Sequence, residues 1–328
     1  MPRQRIRICH LSTNGIRKLI LVTCFCLVLC SLSPGIAADK FIIATPGLSI
    51  RYTPLYYGQE FGLFRDEALD VQVIVVRAGQ VGIASLMSGE VDAITHAGTA
   101  VAAAIRGLPV KIVSVTSDRP NHELLVVPTV RRPQDLKGKS IGLGSLEGTG
   151  GIIIRRILQA KALNPDKDVT FISMATEVRL QAMVNGTIAG AMLSPPYTFL
   201  AADQGYQVFG RGKDYVRYLT EGVVTADSKI KQKRAGLVRF LRGWNKSAKF
   251  YKTNPGVMVP YIQKKFAIKD SRLAQRMYEE DAQNRIENGE IDISGIGEIL
   301  DIAKETMRVK ASIPAHQVFD FSLLEEAR

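Results

Sequence analysis

Residues 145–151, Ser-Leu-Glu-Gly-Thr-Gly-Gly, have the composition of a helix start that binds an anion. Glycines ahead of the apolar segment at residues 152–154 leave backbone N–H groups without partners, at the positive end of the helix dipole. Such a turn suits a carboxylate, sulfonate or phosphate group. We predict ligand contacts at Ser145, Gly148 and Thr149, and we expect Glu147 to face water because it would repel an anion. Simple capping by Ser145 or Thr149 is the alternative, and it is compatible with ligand contact.

Small, hydroxyl-bearing and aromatic residues follow other predicted strands in the same way. Gly98 and Thr99 precede a helix, and Pro54 suits the first position of another. The further ligand-binding candidates are Tyr52, Thr53, Gly79, His96, Gly98, Thr99 and Tyr197. Their alternative roles are local, namely capping for His96 and packing under the Pro195-Pro196 turn for Tyr197.

Arginine side chains should decide the charge of the ligand. Arg51, Arg77 and Arg119 each lie near the carboxyl end of a predicted strand, where a guanidinium group can bind a carboxylate through two hydrogen bonds. Each of them is alternatively a solvated loop charge. We expect at least one to contact the ligand, and we take Arg51 and Arg119 as the candidates.

Enzyme and metal chemistry lack their usual residues from Asp39 onward. This part of the chain has no cysteine and three histidines, namely His96, His122 and His316. Neither Gly-x-Ser-x-Gly nor His-Glu-x-x-His occurs. We therefore predict a non-enzymatic protein with no catalytic residue, no metal site, no cofactor and no disulfide.

The segments that must position these residues alternate between strand and helix patterns. Short apolar strands are predicted at residues 41–45, 71–76, 92–95, 110–115, 141–144, 169–173, 189–193 and 223–225. Helices are predicted at residues 55–64, 80–87, 99–106, 151–162, 178–185 and 196–203, and near 229–252, 256–266, 271–285 and 295–309. This alternation predicts an α/β protein with mainly parallel sheets. In such sheets, ligands bind beyond the carboxyl ends of the strands.

Two similar lobes are indicated by a weak internal repeat. Residues 87–93, Met-Ser-Gly-Glu-Val-Asp-Ala, resemble residues 184–190, Val-Asn-Gly-Thr-Ile-Ala-Gly, and each copy has a glycine that ends a helix before a strand. Any helix-to-strand turn gives a similar pattern, which is the alternative interpretation. Proline and polar residues at 127–139 mark a restart of the pattern, and a second crossing is expected near residues 221–222. We predict one lobe from residues 39–127 plus 223–328, and an inserted second lobe from residues 128–222.

Charge and composition exclude other classes of protein. The chain of 328 residues is 46% hydrophobic, as globular proteins are, and its formal net charge is +12. Five of its 43 basic residues precede Asp39, and the other 38 are spread among 31 acidic residues. They form no basic–aromatic cluster of the kind that binds nucleic acid, so we expect no nucleic-acid partner.

The N-terminus has the pattern of a signal peptide, predicted at residues 1–38. Basic residues up to Lys18 precede a 14-residue apolar run at 19–32 and small residues at 35–38. An uncleaved anchor is the alternative, but the run is shorter than the roughly 20 residues of a spanning helix. We expect cleavage near Ala37 or Ala38 and a periplasmic location. Lipid attachment at Cys30 is not expected, because the bulky Leu29 does not fit a lipoprotein signal.

Several motifs resemble those of periplasmic substrate-binding proteins of ABC importers, in the group of nitrate, sulfonate and taurine binders and NMT1/THI5-like proteins. They lie at residues 54–64, 86–93, 98–103, 135–142 and 193–197. The resemblance covers nearly all of the chain after residue 38. It implies a two-lobed periplasmic-binding-protein fold of type II, with two hinge crossings, that closes on a small solute.

The resemblance also implies partners. We expect a monomer that captures a small molecule between its lobes and delivers it to an inner-membrane ABC permease with its ATPase. An organic acid or sulfonate is the first expectation for the solute, because of the helix starts and arginines. A neutral or heteroaromatic molecule similar to a thiamine precursor is the alternative, and an exported interaction or sensor protein on the same fold is another.

Overall fold

The structure, a computed structural model, describes residues 38–219 and 221–328. The predicted signal peptide, apart from Ala38, lies outside the described residues. Within these two ranges, no helix combines the length and the apolar character needed to span a membrane.

Ten strands form two five-stranded sheets in the described part of the chain. The strands are β1 (Asp39–Thr45), β2 (Leu69–Val75), β3 (Ala93–Ile94), β4 (Val110–Ser117), β5 (Glu123–Val126), β6 (Lys139–Leu143), β7 (Val169–Ser173), β8 (Gly190–Leu193), β9 (Gln207–Arg211) and β10 (Glu221–Ala226). The first sheet has the order β2-β1-β3-β10-β4, and the second has the order β7-β6-β8-β5-β9. In each sheet four strands run in one direction and one strand, β10 or β5, runs antiparallel to its neighbours.

Twelve helices flank the sheets in the described residues. They are α1 (Thr53–Glu60), α2 (Gly79–Ser88), α3 (Ala97–Ile105), α4 (Thr149–Ala160), α5 (Thr176–Val184), α6 (Tyr197–Asp203), α7 (Asp227–Thr253), α8 (Pro255–Lys265), α9 (Ser271–Gln283), α10 (Ile293–Met307), α11 (Ala315–Val318) and α12 (Ser322–Glu326). We call the first sheet with α1–α3 and α7–α12 the first lobe, and the second sheet with α4–α6 the second lobe. The predicted α/β class with mainly parallel sheets is thus confirmed.

The internal repeat corresponds to equivalent backbone geometry in the two lobes. Gly89 and Gly186 follow α2 and α5 with positive φ angles of 86° and 70°, which glycine adopts without strain. Both lead into a short central strand. The amide of Asp92 then donates to the Ile42 carbonyl at 2.8 Å, and the amide of Ala189 donates to Ser140 at 2.9 Å. The repeat is therefore a repeat of structure.

Two strands, β5 and β9, were absent from the sequence prediction. Both are short, and β5 lies in the segment that was assigned to the first lobe. Because β5 pairs with β8 and β9, the chain enters the second sheet between Ser117 and Glu123, ahead of the boundary predicted at residue 128. The chain returns to the first sheet between Arg211 and Glu221.

Aromatic packing and a buried carboxylate with two lysine partners hold α7 against the first sheet. The ring of Phe240 stacks on Phe41 and on Phe64, with centroids 4.4 and 5.2 Å apart. The buried Asp92 carboxylate accepts hydrogen bonds from Lys229 at 2.9 Å and Lys233 at 2.8 Å. A buried carboxylate needs such partners, so Asp92 fixes α7 on the sheet that carries the site.

Candidate functional site

One cavity of about 510 Å³ lies at the carboxyl ends of six parallel strands, three from each sheet. Strands β1, β2 and β3 lead into α1, α2 and α3, and strands β6, β7 and β8 lead into α4, α5 and α6. The turns between these strands and helices supply most of the wall. The position predicted for the site, beyond the carboxyl ends of the strands, is therefore the position of this cavity.

The six helices that start at the cavity have no side-chain cap. The residues before α1 to α5 are Tyr52, Ala78, His96, Gly148 and Ala175, and all five line the cavity. The sixth helix, α6, follows the cis Pro195–Pro196 bond. By contrast, α9 and α10 are capped by the side chains of Asp270 and Asp292. Some first amides already have backbone partners: Thr53 donates to the Ile50 carbonyl, Ala97 to Thr95 at 2.8 Å, and Tyr197 to Ser194 at 2.9 Å. The first amide groups of α2, α4 and α5 have no side-chain cap and are available to a ligand.

Nine of the twelve predicted ligand-binding residues line this cavity. They are Tyr52, Gly79, His96, Gly98, Thr99, Ser145, Gly148, Thr149 and Tyr197. Both lobes contribute to this set. The first five belong to the first lobe, and the last four belong to the second lobe. Arg51, Thr53 and Arg119 do not belong to the lining.

Arg51 lies below the cavity, in a buried network of charges, and not in its wall as predicted. Its side chain is fully buried, with Nε 3.3 Å from Asp281 and 3.7 Å from Glu221. Arg285 completes the network: its Nη2 lies 2.7 Å from the Asp281 carboxylate and donates to the Arg51 carbonyl at 2.6 Å. The charges of two arginines and two carboxylates balance, so the charge of Arg51 is compensated from within the protein. Arg51 therefore serves the packing of α9 against the rest of the first lobe.

Thr53 and Arg119 are also placed away from the cavity. Thr53 is fully buried at the start of α1. Arg119 follows β4, which leads into the passage between the sheets and not into a helix, so its side chain is exposed in a different cavity. Its carbonyl accepts a hydrogen bond from Arg51 Nη2 at 3.1 Å. The rule of strand ends failed here because β4 has no helix after it.

Arg179, which the sequence analysis did not select, is the buried cation of the cavity. It lies on α5, lines the cavity, and is 7% exposed. Its Nε donates to the Met174 carbonyl at 3.0 Å and its Nη1 donates to Met192 at 2.6 Å. No carboxylate among the described residues lies within 4.0 Å of the guanidinium group. Burial lowers the pKa of Arg179 to about 10, against the opposing effect of the Glu177 charge, so the guanidinium group remains protonated at neutral pH.

Gly144 makes room for the Arg179 head group at the end of β6. A β-carbon at Gly144 would lie 2.8 Å from Arg179 Nη2, the guanidinium nitrogen not used by the two carbonyls. Applying the strand-end rule to β7, as it was applied to other strands, would have selected Arg179. The sequence interpretation had considered arginines of the first lobe alone.

Three further charged residues line the cavity. Arg77 and Glu177 are exposed, and neither has an ion-pair partner within the described ranges. Glu221 is buried, and Arg51 offsets its charge. Glu177 acts on Arg179 only from beyond contact distance. The described cavity wall therefore carries two cations with no carboxylate in contact, Arg77 and Arg179, and one exposed anion.

Two histidines of the cavity wall are held in the neutral form. Burial lowers the pKa of His96. The hydrogen bond that its Nε2 donates to the Val76 carbonyl at 2.7 Å acts in the opposite direction and offsets part of this effect. Burial and the positive charges of Arg179 and Arg51 lower the pKa of His122 to about 4. Neutral imidazoles add no positive charge to the cavity wall. The positive charge there therefore comes from the guanidinium groups.

Tyr52 and Tyr197 bring aromatic surface to the cavity from opposite lobes. Burial, followed by the charge of Glu221, raises the pKa of Tyr52, and burial with the charge of Glu177 raises the pKa of Tyr197. Both hydroxyls are therefore protonated donors at neutral pH.

Two further cavities lie outside this site. A cavity of about 680 Å³ is lined by residues of mixed charge near α9, including Arg119 and Glu280. A cavity of about 340 Å³ lies between α4 and α10, and its wall includes Arg106 and Glu147. The described residues contain no group of three or more histidines, cysteines and carboxylates placed to hold a metal ion.

A family model described as NMT1/THI5 like matches residues 49–257 of the chain. No protein with a curated description matches the sequence significantly. Several solved structures have a similar fold. A protein from Bordetella bronchiseptica RB50 aligns with a TM-score of 0.74 and 16% identity, over 88% of this chain and 96% of its own.

Two other similar structures belong to proteins that are named for their ligand. The periplasmic aliphatic sulphonate binding protein SsuA from Escherichia coli aligns with a TM-score of 0.67 and 15% identity, over 88% of this chain and 99% of its own. The periplasmic nitrate-binding protein NrtA from Synechocystis PCC 6803 aligns with a TM-score of 0.68 and 12% identity, over 89% of this chain and 88% of its own. This likeness confirms the predicted two-lobed periplasmic-binding-protein fold.

Proposed function

The chain belongs to the NMT1/THI5-like family, and from this premise we propose that it is an exported solute-binding protein for a small organic acid or sulfonate. The solute occupies the 510 Å³ cavity, where it contacts both lobes. The protein binds and releases this solute without changing it chemically, and it uses no cofactor.

The observation that carries this proposal is the buried guanidinium group of Arg179. A buried charge is costly unless a charged or hydrogen-bonding partner offsets it. The carbonyls of Met174 and Met192 occupy Nε and Nη1, and they leave Nη2 at the cavity. A carboxylate or sulfonate of the solute supplies the missing negative charge. Uncapped helix starts add amide donors around the same anion.

Closure of the lobes follows from the division of the site between them. The first lobe contributes the starts of α1, α2 and α3, and the second contributes the starts of α4, α5 and α6 with Arg179. A solute that touches both sets binds the closed arrangement better than the open one, and it shifts the population accordingly. The two passages of the chain between the sheets, at 118–122 and 212–219, serve as the hinge.

Export and delivery complete the proposed role. Residues 1–38 direct the chain to the periplasm and are removed near Ala37 or Ala38. The closed, loaded monomer then docks on an inner-membrane ABC permease, which receives the solute. The similar E. coli and Synechocystis proteins, a sulphonate-binding and a nitrate-binding periplasmic protein, support this location and role by analogy.

A neutral or heteroaromatic solute is the second candidate. Tyr52 and Tyr197 support it, because they place aromatic rings on both sides of the cavity. Tyr56, another tyrosine on α1, does not line it: its hydroxyl donates to the Gly47 carbonyl at 3.0 Å, and Lys265 lies over its ring. The acid remains the first candidate because a neutral solute leaves Arg179 without a counter-charge.

A thermal-shift screen with matched pairs of ligands tests the proposal. Each acid is compared with its neutral isostere, for example propionate with propionamide and methanesulfonate with methanesulfonamide, and pyrimidines and inorganic oxyanions complete the panel. A ligand at 100 times its Kd stabilises the folded state by about 2.7 kcal/mol, or several degrees in Tm. We expect stabilisation by acids and not by their amides. Stabilisation by amides or pyrimidines alone would overturn the acid assignment, and a flat result across the panel counts against the solute-binding role.

A further inference from the structure

The loop at residues 144–151 has two faces. Ser145 and Gly148 line the solute cavity, whereas Glu147 lines the neighbouring cavity of about 340 Å³. Glu147 thus points away from the solute, as expected from its charge. It does not simply face water, however, because it meets a cation from the other lobe.

That cation is Arg106, at the end of α3 in the first lobe. Its Nη1 and Nη2 donate to the two Glu147 carboxylate oxygens at 2.9 and 2.8 Å, a bidentate pair that constrains orientation as well as distance. The hydrogen bonds with Arg106 lower the pKa of Glu147. A second polar contact of this loop with the first lobe is longer, a 3.4 Å hydrogen bond from Gln80 to Ser145.

A second ion pair joins the lobes two turns further along α4. Arg156 on α4 lies 2.5 Å from Glu305 on α10 of the first lobe. Its polarity is opposite to that of the first pair, since the second lobe now supplies the cation. A shift of α4 along the first lobe would therefore bring like charges together, so the two pairs define one register of the closed lobes.

The contact between these pairs is not closely packed. The cavity of about 340 Å³ lies there, and its wall includes Ile152 and Met307 from opposite lobes. Dispersion contacts are lost across such a gap. The ion pairs therefore have a larger share in holding the lobes together here than they would in a dense interface.

We propose that Arg106 is a positioning residue for the solute site: through Glu147 it holds the loop at residues 144–151 and favours the closed lobes before solute arrives. The inference rests on the proposed function for its significance, since this loop supplies helix-start amides to the solute. The resulting closed state is favoured in the empty protein and is sensitive to salt, because both side chains are about half exposed.

Distance measurements without solute test this proposal independently of the ligand. Residues 39–328 contain no cysteine, so the full chain with its four N-terminal cysteines changed to serine accepts spin labels at two introduced sites. Val81→Cys on α2 and Val178→Cys on α5 are suitable, because both valines are at least half exposed and lie on opposite lobes beside the cavity. Electron–electron double resonance then gives the populations of closed and open lobes.

We expect Arg106→Gln or Glu147→Gln to lower the closed-to-open ratio about 1.5- to 5-fold, the range for partly exposed ion pairs. Removing both pairs, with Arg106→Gln and Glu305→Gln together, should lower it further. The charge swap Arg106→Glu with Glu147→Arg should restore the wild-type ratio. In 1 M salt, the closed-to-open ratio of the wild type should fall towards that of the Arg106→Gln variant.

Arg155→Gln is the matched control, because Arg155 pairs with Asp166 inside the second lobe at 2.6 Å. It should leave the distances unchanged. The proposal is overturned by a wild type that is fully open without solute, by unchanged distances in the Arg106 and Glu147 variants, or by an equal shift in Arg155→Gln. These readings need no solute, so they remain valid whatever the ligand screen shows.

Discussion

Gly98 at the start of α3 and Thr149 at the start of α4 meet across the two lobes. A β-carbon on Gly98 would overlap the Thr149 hydroxyl and lie 3.1 Å from the Thr149 amide nitrogen. The hydroxyl is itself fixed, because it donates to the Leu219 carbonyl at 2.7 Å. Two positive helix ends therefore converge on one cavity, an arrangement that an anion between them relieves. The absent side chain of Gly98 lets the lobes come this close.

Gly98→Ala should weaken solute binding by roughly 5- to 100-fold, the effect of about 1–3 kcal/mol of overpacking. The clash is removed when the lobes open, so the Tm of the solute-free protein should change by no more than about 2 °C. Titration calorimetry with an acid identified in the screen measures the affinity. Gly236→Ala, on α7 with no atom within 4 Å of the added carbon, is the control and should bind normally. Unaltered affinity in Gly98→Ala would show that the two helix starts need not approach.

Arg179→Met should remove most of the affinity for an acid. A desolvated, hydrogen-bonded charge pair is worth about 2–5 kcal/mol when one partner is deleted, which corresponds to a loss of about 30-fold or more. The substitution also affects the stability of the fold, because the carbonyls of Met174 and Met192 lose their hydrogen-bond donor. Urea unfolding therefore accompanies the binding measurement. Arg155→Met, the same substitution on α4, is the control and should retain full affinity, and retained affinity in Arg179→Met would refute the anchor role.

Asp281→Asn should destabilise the fold by about 3–5 kcal/mol, because it leaves Arg51 and Arg285 buried without sufficient counter-charge. The free energy of urea unfolding measures this. Asp301→Asn changes an exposed carboxylate that pairs with Lys304 and should cost less than about 1 kcal/mol. Similar losses in the two variants would mean that the network around Arg51 is not a structural element.

Acidification should destabilise the protein through His122. Its pKa in the folded protein is about 4, below the ordinary value of 6.5, so between these pH values the unfolded chain takes up a proton that the folded chain does not. The free energy of unfolding should therefore fall by roughly 1–3 kcal/mol as the pH decreases from 6.5 to 4. His122→Asn should flatten this part of the profile, while His316→Asn, at an exposed position, should not. A profile that keeps its slope in His122→Asn would exclude this histidine as the source.

The local pattern of residues was sufficient for the class of fold and for the position of the cavity that forms the candidate site. Alternating strands and helices, with glycines such as Gly89 and Gly186 at the helix ends, depend on neighbours in the chain, and they predicted two α/β lobes. The strand-end rule then placed nine of twelve candidate residues in one cavity, because backbone direction alone decides where a strand ends.

The roles of the charged residues could not be read in the same way. Arg51 and Arg179 both lie near strand ends, yet Arg51 is neutralised by Glu221 and Asp281, while Arg179 meets carbonyls and the open cavity. Glu147 likewise finds its partner on the other lobe. A side chain's charge acts over a few ångströms in space, and folding brings those neighbours from distant parts of the chain. Eight of the ten described strands and the turns at the cavity therefore followed from the sequence, whereas the counter-charge of each arginine emerged with the tertiary structure.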